Sequence, residues 1–193
     1  MTHAAYLSIL HCIAALKERT RHAWLQSGRQ ESVAEHSWRM ALMAYFLRES
    51  FPKADLSRVL LMCLLHDVGE VFTGDIPTFE KTDADRTRER RLRDAWIADL
   101  PAPFFDEVAA LFIEMDAMET EEARLVKALD RMEAVLTHNE GDPATWLPLE
   151  YDLQHTYGVR EAAFSPVLRA LRQEINKEVD AVIASLPPHE RSG

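Results

Sequence analysis

Apolar residues recur at three- and four-residue spacing along most of this chain, and four groups of another kind sit among them: His36, the adjacent pair His66 and Asp67, and Asp130. The periodicity assigns these two imidazoles and two carboxylates to three separate helices. Neutral imidazole nitrogen and ionised carboxylate oxygen are donors for a borderline first-row cation. A set too small to fill the coordination sphere leaves positions for water and substrate. The constellation makes the chain a candidate hydrolase, provided that the three helices pack together.

Glycine is scarce, at six of 193 residues, and 47% of the chain is hydrophobic, a combination that suits a helical protein better than a turn-rich β fold. A chain of this length buries roughly 70% of its unfolded surface, enough for one core. The expectation is an all-α, single-domain helical bundle over residues 1–186, followed by a flexible tail, residues 187–193.

The formal net charge of −10 argues against a general binder of nucleic-acid polymers, whose affinity comes from many Lys and Arg displacing counterions. A small anionic substrate stays compatible, because a metal ion and a few arginines can neutralise it locally. The two cysteines, Cys12 and Cys63, lie in apolar helical patterns and read as buried free thiols. Charged residues interrupt every hydrophobic stretch, so no membrane span or cleavable leader is expected, and a cytoplasmic location is the default.

A first helix is expected from about Ala4 to Arg19, packing through Leu7, Leu10, Ile13, Ala14 and Leu16. Residues 20–30 break the periodicity and read as a loop. Ser32-Val33-Ala34-Glu35 is a capping-box pattern that starts the second helix just before His36, with Met40 and Met43 on the face of that histidine. A third helix, Leu56 to Gly69, aligns Val59, Met62, Cys63 and His66, and brings Asp67 beside an apolar stripe. An ionised Asp there is costly unless it is paired or bound to a cation.

Gly69, Gly74 and Pro77 then end the helix in a connection that carries Asp75. The charged segment Asp83 to Leu100 reads as a solvated helix, followed by helices at Phe104 to Met115 and Glu121 to Asn139. Asp130 sits at the edge of the latter's apolar stripe, where Lys127 and Arg131 also offer it surface pairs. A short helix from Ala144 to Leu153 is expected to carry Trp146. Ser165-Pro166, an N-cap followed by proline, opens a last helix that ends near Leu186.

The wider text around the four residues is specific. His66-Asp67-Val68-Gly69-Glu70 is followed closely by Thr73-Gly74-Asp75-Ile76, and Leu16-Lys17, Arg21 and Trp24 precede Glu31-Ser32-Val33-Ala34-Glu35-His36. These motifs, spread over most of Leu16 to Glu140, resemble the HD-domain superfamily of metal-dependent phosphohydrolases, and within it the branch of small 5′-deoxynucleotidases. The resemblance implies one divalent ion, of Mn, Co, Fe, Ni or Zn, held by His36, His66, Asp67 and Asp130. It also implies Glu70 and Asp75 as the acids nearest the reacting phosphate, Arg21 as its cationic clamp, and a homodimer. Trp24 stands for the family's tryptophan beside the sugar, three positions after the arginine instead of adjacent to it.

No histidine occurs between Asp67 and Asp130, which favours one metal over the two used by relatives that draw extra histidines from that interval. The expected reaction is hydrolysis of a deoxynucleoside 5′-monophosphate. Its alternatives are hydrolysis of an alarmone or a nucleoside triphosphate, or a noncatalytic sensor. His3, His11, His22, His138, His155 and His189 fit no ligand spacing and read as structural or exposed. The segment from Thr137 to Trp146 reads as helix packing, a pocket wall or a dimer contact.

Overall fold

The computed structural model describes residues 1–186, so the tail expected at residues 187–193 lies outside the described residues. The elements are α1 (His3–Ala14), β1 (Thr20–Trp24), β2 (Gln30–Ser32), α2 (Val33–Leu47), α3 (Leu56–Leu65), α4 (Glu70–Thr73), α5 (Asp83–Ala98), α6 (Phe104–Ala117), α7 (Glu121–Glu140), α8 (Pro148–Thr156), α9 (Val159–Ala162) and α10 (Pro166–Ser185). The all-α reading holds, with one small hairpin added to it.

Helix α7 is the spine: α2, α3, α6 and α10 all pack on it. Its neighbours interdigitate through Met40, Met62, Cys63, Leu129, Met132, Leu168 and Ile175, each at 2% exposure or less. A second apolar cluster joins Leu16, Val33, Val68, Val71, Ile97 and Phe112, and seats α5 and α6 over the end of α3. Burying a Leu or Met side chain contributes roughly 1.5–3 kcal/mol, so these clusters hold α2, α3 and α7 in register.

Local chemistry sets the helix ends. Ser32 accepts from the Glu35 amide while Glu35 accepts from the Ser32 amide, which is the expected capping box at the start of α2. Thr120 caps α7 and Ser165 caps α10, with Pro166 in the first turn. Helix α3 stops at Leu65, four residues short of the expected Gly69. From there the backbone bonds tighten to i→i+3, from Val68 to Leu65 and from Glu70 to Asp67.

Four expectations need correction. Residues 20–24 and 30–32 are not loop but a twisted antiparallel hairpin, turned at Gly28 with φ +82°. Its strands lack period-two apolar alternation, since only Ala23 of β1 is buried. Helix α1 does not bury its apolar face: Leu7 is 51% exposed, and Tyr6 and Leu10 are exposed as well. Cys63 is buried, but Cys12 is only half-buried; both are free thiols. Trp146 lies between a short turn (Pro143–Thr145) and α8, and its indole donates to the His138 carbonyl instead of riding a helix.

Candidate metal centre and pocket

Helix α2 supplies His36, the end of α3 supplies His66 and Asp67, and α7 supplies Asp130. Neighbours on a regular helix diverge by about 100°, yet the tightened turn after Leu65 sets His66 Nε2 2.9 Å from Asp67 Oδ2. His36 Nε2 lies 3.9 Å from the same oxygen and 3.5 Å from Asp130 Oδ1, and His66 Nε2 lies 4.0 Å from Asp130 Oδ1. Donor atoms of His36, His66 and Asp67 fall within 4.8 Å of one another.

The second bonds of these residues aim them. His66 Nδ1 bonds the Cys63 carbonyl at 2.9 Å, which leaves Nε2 as the free lone pair. Asp130 uses Oδ2 for Lys127, at 2.7 Å, and turns Oδ1 to the two rings. The surface pair and the inward orientation therefore coexist on one carboxylate. Both imidazole Nε2 atoms are buried without a hydrogen-bond partner. Two orphaned nitrogens facing two carboxylates fit a divalent cation of the N/O-binding type. Burial opposes the charges on Asp67 and Asp130. His66 for the former, and Lys127 and His36 for the latter, hold both well below the usual carboxylate range.

Sequence reasoning missed the groups behind His36. Glu133, fully buried one turn beyond Asp130, hydrogen-bonds His36 Nδ1 and accepts from the Thr137 hydroxyl at 2.9 Å. Its position three after Asp130 and four before Thr137 was a legible sign that it shares their face. Buried Glu31, directly before the capping box, joins it. Arg21 Nη1 lies 3.6 Å from Glu31 and 3.5 Å from Glu133. Glu31, His36 and Glu133 could themselves ligate a metal, but Arg21 already supplies a cation there. Burial opposes the charge on His36, as does Arg21, yet Glu133 prevails and raises its pKa to about 9. Glu31 moves up to about 7, chiefly through burial and then through Glu133.

A cavity of about 430 Å³ opens beside this cluster and is lined by Arg21, Asp67, Glu70, Asp75, Lys81 and Asp130, among others. Its size suits a small-molecule ligand. Glu70 is buried; Lys81 stands 3.6 Å from its Oε1 and 2.6 Å from Glu89, while Oε2 has no partner. Burial, then the charges of Asp67 and Asp75, lift the Glu70 pKa well above its ordinary value. Asp75 is raised too, by burial first, against Arg21. A Cβ on Gly69 would stand 2.7 Å from Glu89 Cγ, so the missing side chain lets Glu89 approach Lys81.

The structure thus gathers His36, His66, Asp67, Asp130, Arg21, Glu70 and Asp75 at one place. Trp24 does not line the cavity; its ring packs edge-on against His22 at 4.9 Å, and His22 takes the place on the wall. Two other nearby arginines are engaged elsewhere: Arg19 donates to the Val71 carbonyl and Arg29 pairs with Glu35. His22 and His138, set aside in the sequence, both line the cavity.

Residues 13–172 match the family model described as HD domain. The chain belongs to the HD domain family. Relatives of this HD domain include 5′-deoxynucleotidase HDDC2 of Mus musculus, 29% identical over 94% of the chain and 92% of that protein. Another is 5′-deoxynucleotidase YfbR of Escherichia coli O1:K1 / APEC, 28% identical over 64% of the chain and 67% of its own length. The crystal structure of a predicted metal-dependent phosphohydrolase from Magnetospirillum magnetotacticum MS-1 superposes with a TM-score of 0.77 at 30% identity, covering 95% of each chain.

Proposed function

We propose that this HD-domain hydrolase, over residues 1–186, removes the 5′ phosphate from deoxynucleoside monophosphates. The observation that carries the reading is the pair of buried, unpartnered imidazole nitrogens facing Asp67 and Asp130 beneath a pocket that holds Arg21 and Glu70. The names of the relatives HDDC2 and YfbR support the substrate class.

A divalent cation held by His36, His66, Asp67 and Asp130 would polarise a phosphoryl oxygen and lower the pKa of a water. Arg21, anchored by Glu31 and Glu133, neutralises phosphoryl charge from a preorganised position. Burial, then the charges of Asp67 and Asp75, disfavour the Glu70 anion and suit this side chain to carry a proton. Its unpartnered Oε2 is the donor for the departing 5′ oxygen. Asp75, the less strongly shifted acid, orients the attacking water. Lys81 spans Glu70 and Glu89 and limits how far the Glu70 pKa rises.

We place the protein in the cytoplasm as a homodimer. Both cysteines are free, as a reducing compartment requires. No helix among the described residues is long and apolar enough to cross a membrane. On α2, Trp38 and Phe46 are 60% and 74% exposed; with Leu42 and Tyr45, and with Leu61 and Leu64 on the adjoining α3, they form an apolar face suited to a second copy. Light scattering at micromolar concentration reads the mass directly. The function is tested by phosphate release from nucleotides with Mn, Fe, Co, Ni or Zn added one at a time. Turnover of deoxynucleoside 5′-monophosphates is the expected result, and preference for a triphosphate or an alarmone would reject the reading.

A further inference from the structure

The cavity runs well past the metal ligands. Asp130, Ala134 and His138 stand one turn apart on α7, and all three line it. Eight residues of helix separate the first from the last by about 12 Å, the scale of a nucleotide laid along the helix. Asp130 marks the cation end, Ala134 leaves the middle free of bulk, and His138 marks the far end.

The hairpin follows the same course. Thr20 pairs with Ser32 and Trp24 with Gln30, so β1 takes four steps where β2 takes two, and the excess bulges. Adjacent strand residues normally face opposite ways. Here the bulge lets Arg21 and His22 both reach the cavity, the first beside Glu133 and the second toward His138, ring centroids 6.4 Å apart. Glu150 from α8 lies between the two rings, with Oε2 3.4 Å from His22 Nε2 and Oε1 3.8 Å from His138 Nε2. Phe79 meets the His22 ring edge-on at 5.7 Å.

This cluster has no part in the phosphate chemistry. His22 Nε2 is buried without a hydrogen-bond partner, an unpaired state that a bound ligand would relieve. Burial, then His22 and Arg21, lower the His138 pKa to about 4, so its ring is neutral and offers one donor and one acceptor. Flat rings beside a carboxylate suit a flat heterocycle that carries N–H groups on its edge.

We propose that His22, His138 and Glu150, walled by Phe79, form the nucleobase end of the cavity and set base preference, favouring a base that presents an N–H donor to Glu150. The proposal rests on the deoxynucleotidase reading. The test compares kcat/KM for the four common 2′-deoxynucleoside 5′-monophosphates with that for baseless 2-deoxyribose 5-phosphate, in wild type, His22→Ala, His138→Ala and Glu150→Gln. Glu150→Gln retains an acceptor for the Leu147 amide that Glu150 now caps, at 2.7 Å.

Each variant should lower the ratio of nucleotide to sugar-phosphate kcat/KM about tenfold, the loss expected for one base contact or stack, and should compress the spread among bases. An unchanged ratio, or an equal loss on the sugar phosphate, overturns the proposal. Calorimetric binding of the deoxynucleosides themselves separates the two readings. Tenfold weaker binding by the variants supports a base site even if no phosphate is released, whereas binding that the variants leave unchanged rejects it even in an active phosphatase.

Discussion

Glu133→Gln tests the architecture behind the metal site. The carboxylate is fully buried, hydrogen-bonds His36 Nδ1, takes the Thr137 hydroxyl at 2.9 Å and faces Arg21 at 3.5 Å. Glutamine preserves volume and keeps one oxygen for the His36 N–H, while its amide can donate to the Thr137 oxygen; the charge is what disappears. Outer-shell partners of this kind are worth about 10–100-fold in metal affinity or activity. A charge-assisted hydrogen bond contributes about 1.5–3 kcal/mol. Arg21 keeps Glu31 at 3.6 Å, which places the stability loss near the lower end, about 2 kcal/mol. For a chain of this size that corresponds to a fall in Tm of about 4–8 °C. Metal titration by calorimetry, phosphate release at graded metal concentrations and thermal melts read the three quantities. Metal affinity equal to wild type would refute the orienting role, even if the melt were lowered.

Asp67→Ala removes a proposed charged ligand from a turn outside the regular helices, so metal content and turnover should vanish while far-UV circular dichroism stays near wild type; retained metal with full activity would exclude Asp67 from the site. Glu70→Gln keeps volume but cannot pass a proton, so kcat should fall about 100- to 10,000-fold with metal content unchanged, and loss of metal instead would make Glu70 a ligand. His138 carries a folded pKa of about 4, below its unfolded value. Its contribution is therefore complete above about pH 6.5 and is lost as pH falls through 4, by up to about 3 kcal/mol. His138→Asn should flatten that part of the stability–pH curve, and an unchanged curve would contradict the buried neutral ring.

The sequence yielded most of what depends on local chemistry. Ser32 with Glu35, Thr120 and Ser165-Pro166 announce their helices because capping is a contact between near neighbours. The spacing of His36, His66, Asp67 and Asp130 was legible for the same reason: each lies on or beside an apolar stripe that must face the core. What escaped depends on neighbours distant in sequence. Glu31 and Glu133 are acids in unremarkable text until a guanidinium from a hairpin lies between them. The hairpin itself was hidden because its bulge destroys alternation. His22 and His138, 116 positions apart, gain meaning only when β1 lies along α7. The exposed side of α1 was misread because periodicity identifies an apolar face and not what covers it.

The measurement closest to the central claim is a matched set of kcat/KM values for the metal-loaded protein on a 2′-deoxynucleoside 5′-monophosphate, its ribonucleotide and the corresponding 3′-monophosphate. Phosphate held between the ligand cluster and Arg21 fixes how the sugar enters, and a 3′ ester directs the nucleoside away from the far end of the cavity. The account predicts rapid hydrolysis of the deoxy 5′ compound, a ribonucleotide disfavoured by up to about 100-fold, the limit for discrimination against an added hydroxyl by packing alone, and a poor 3′ ester. Equal rates on all three would contradict it.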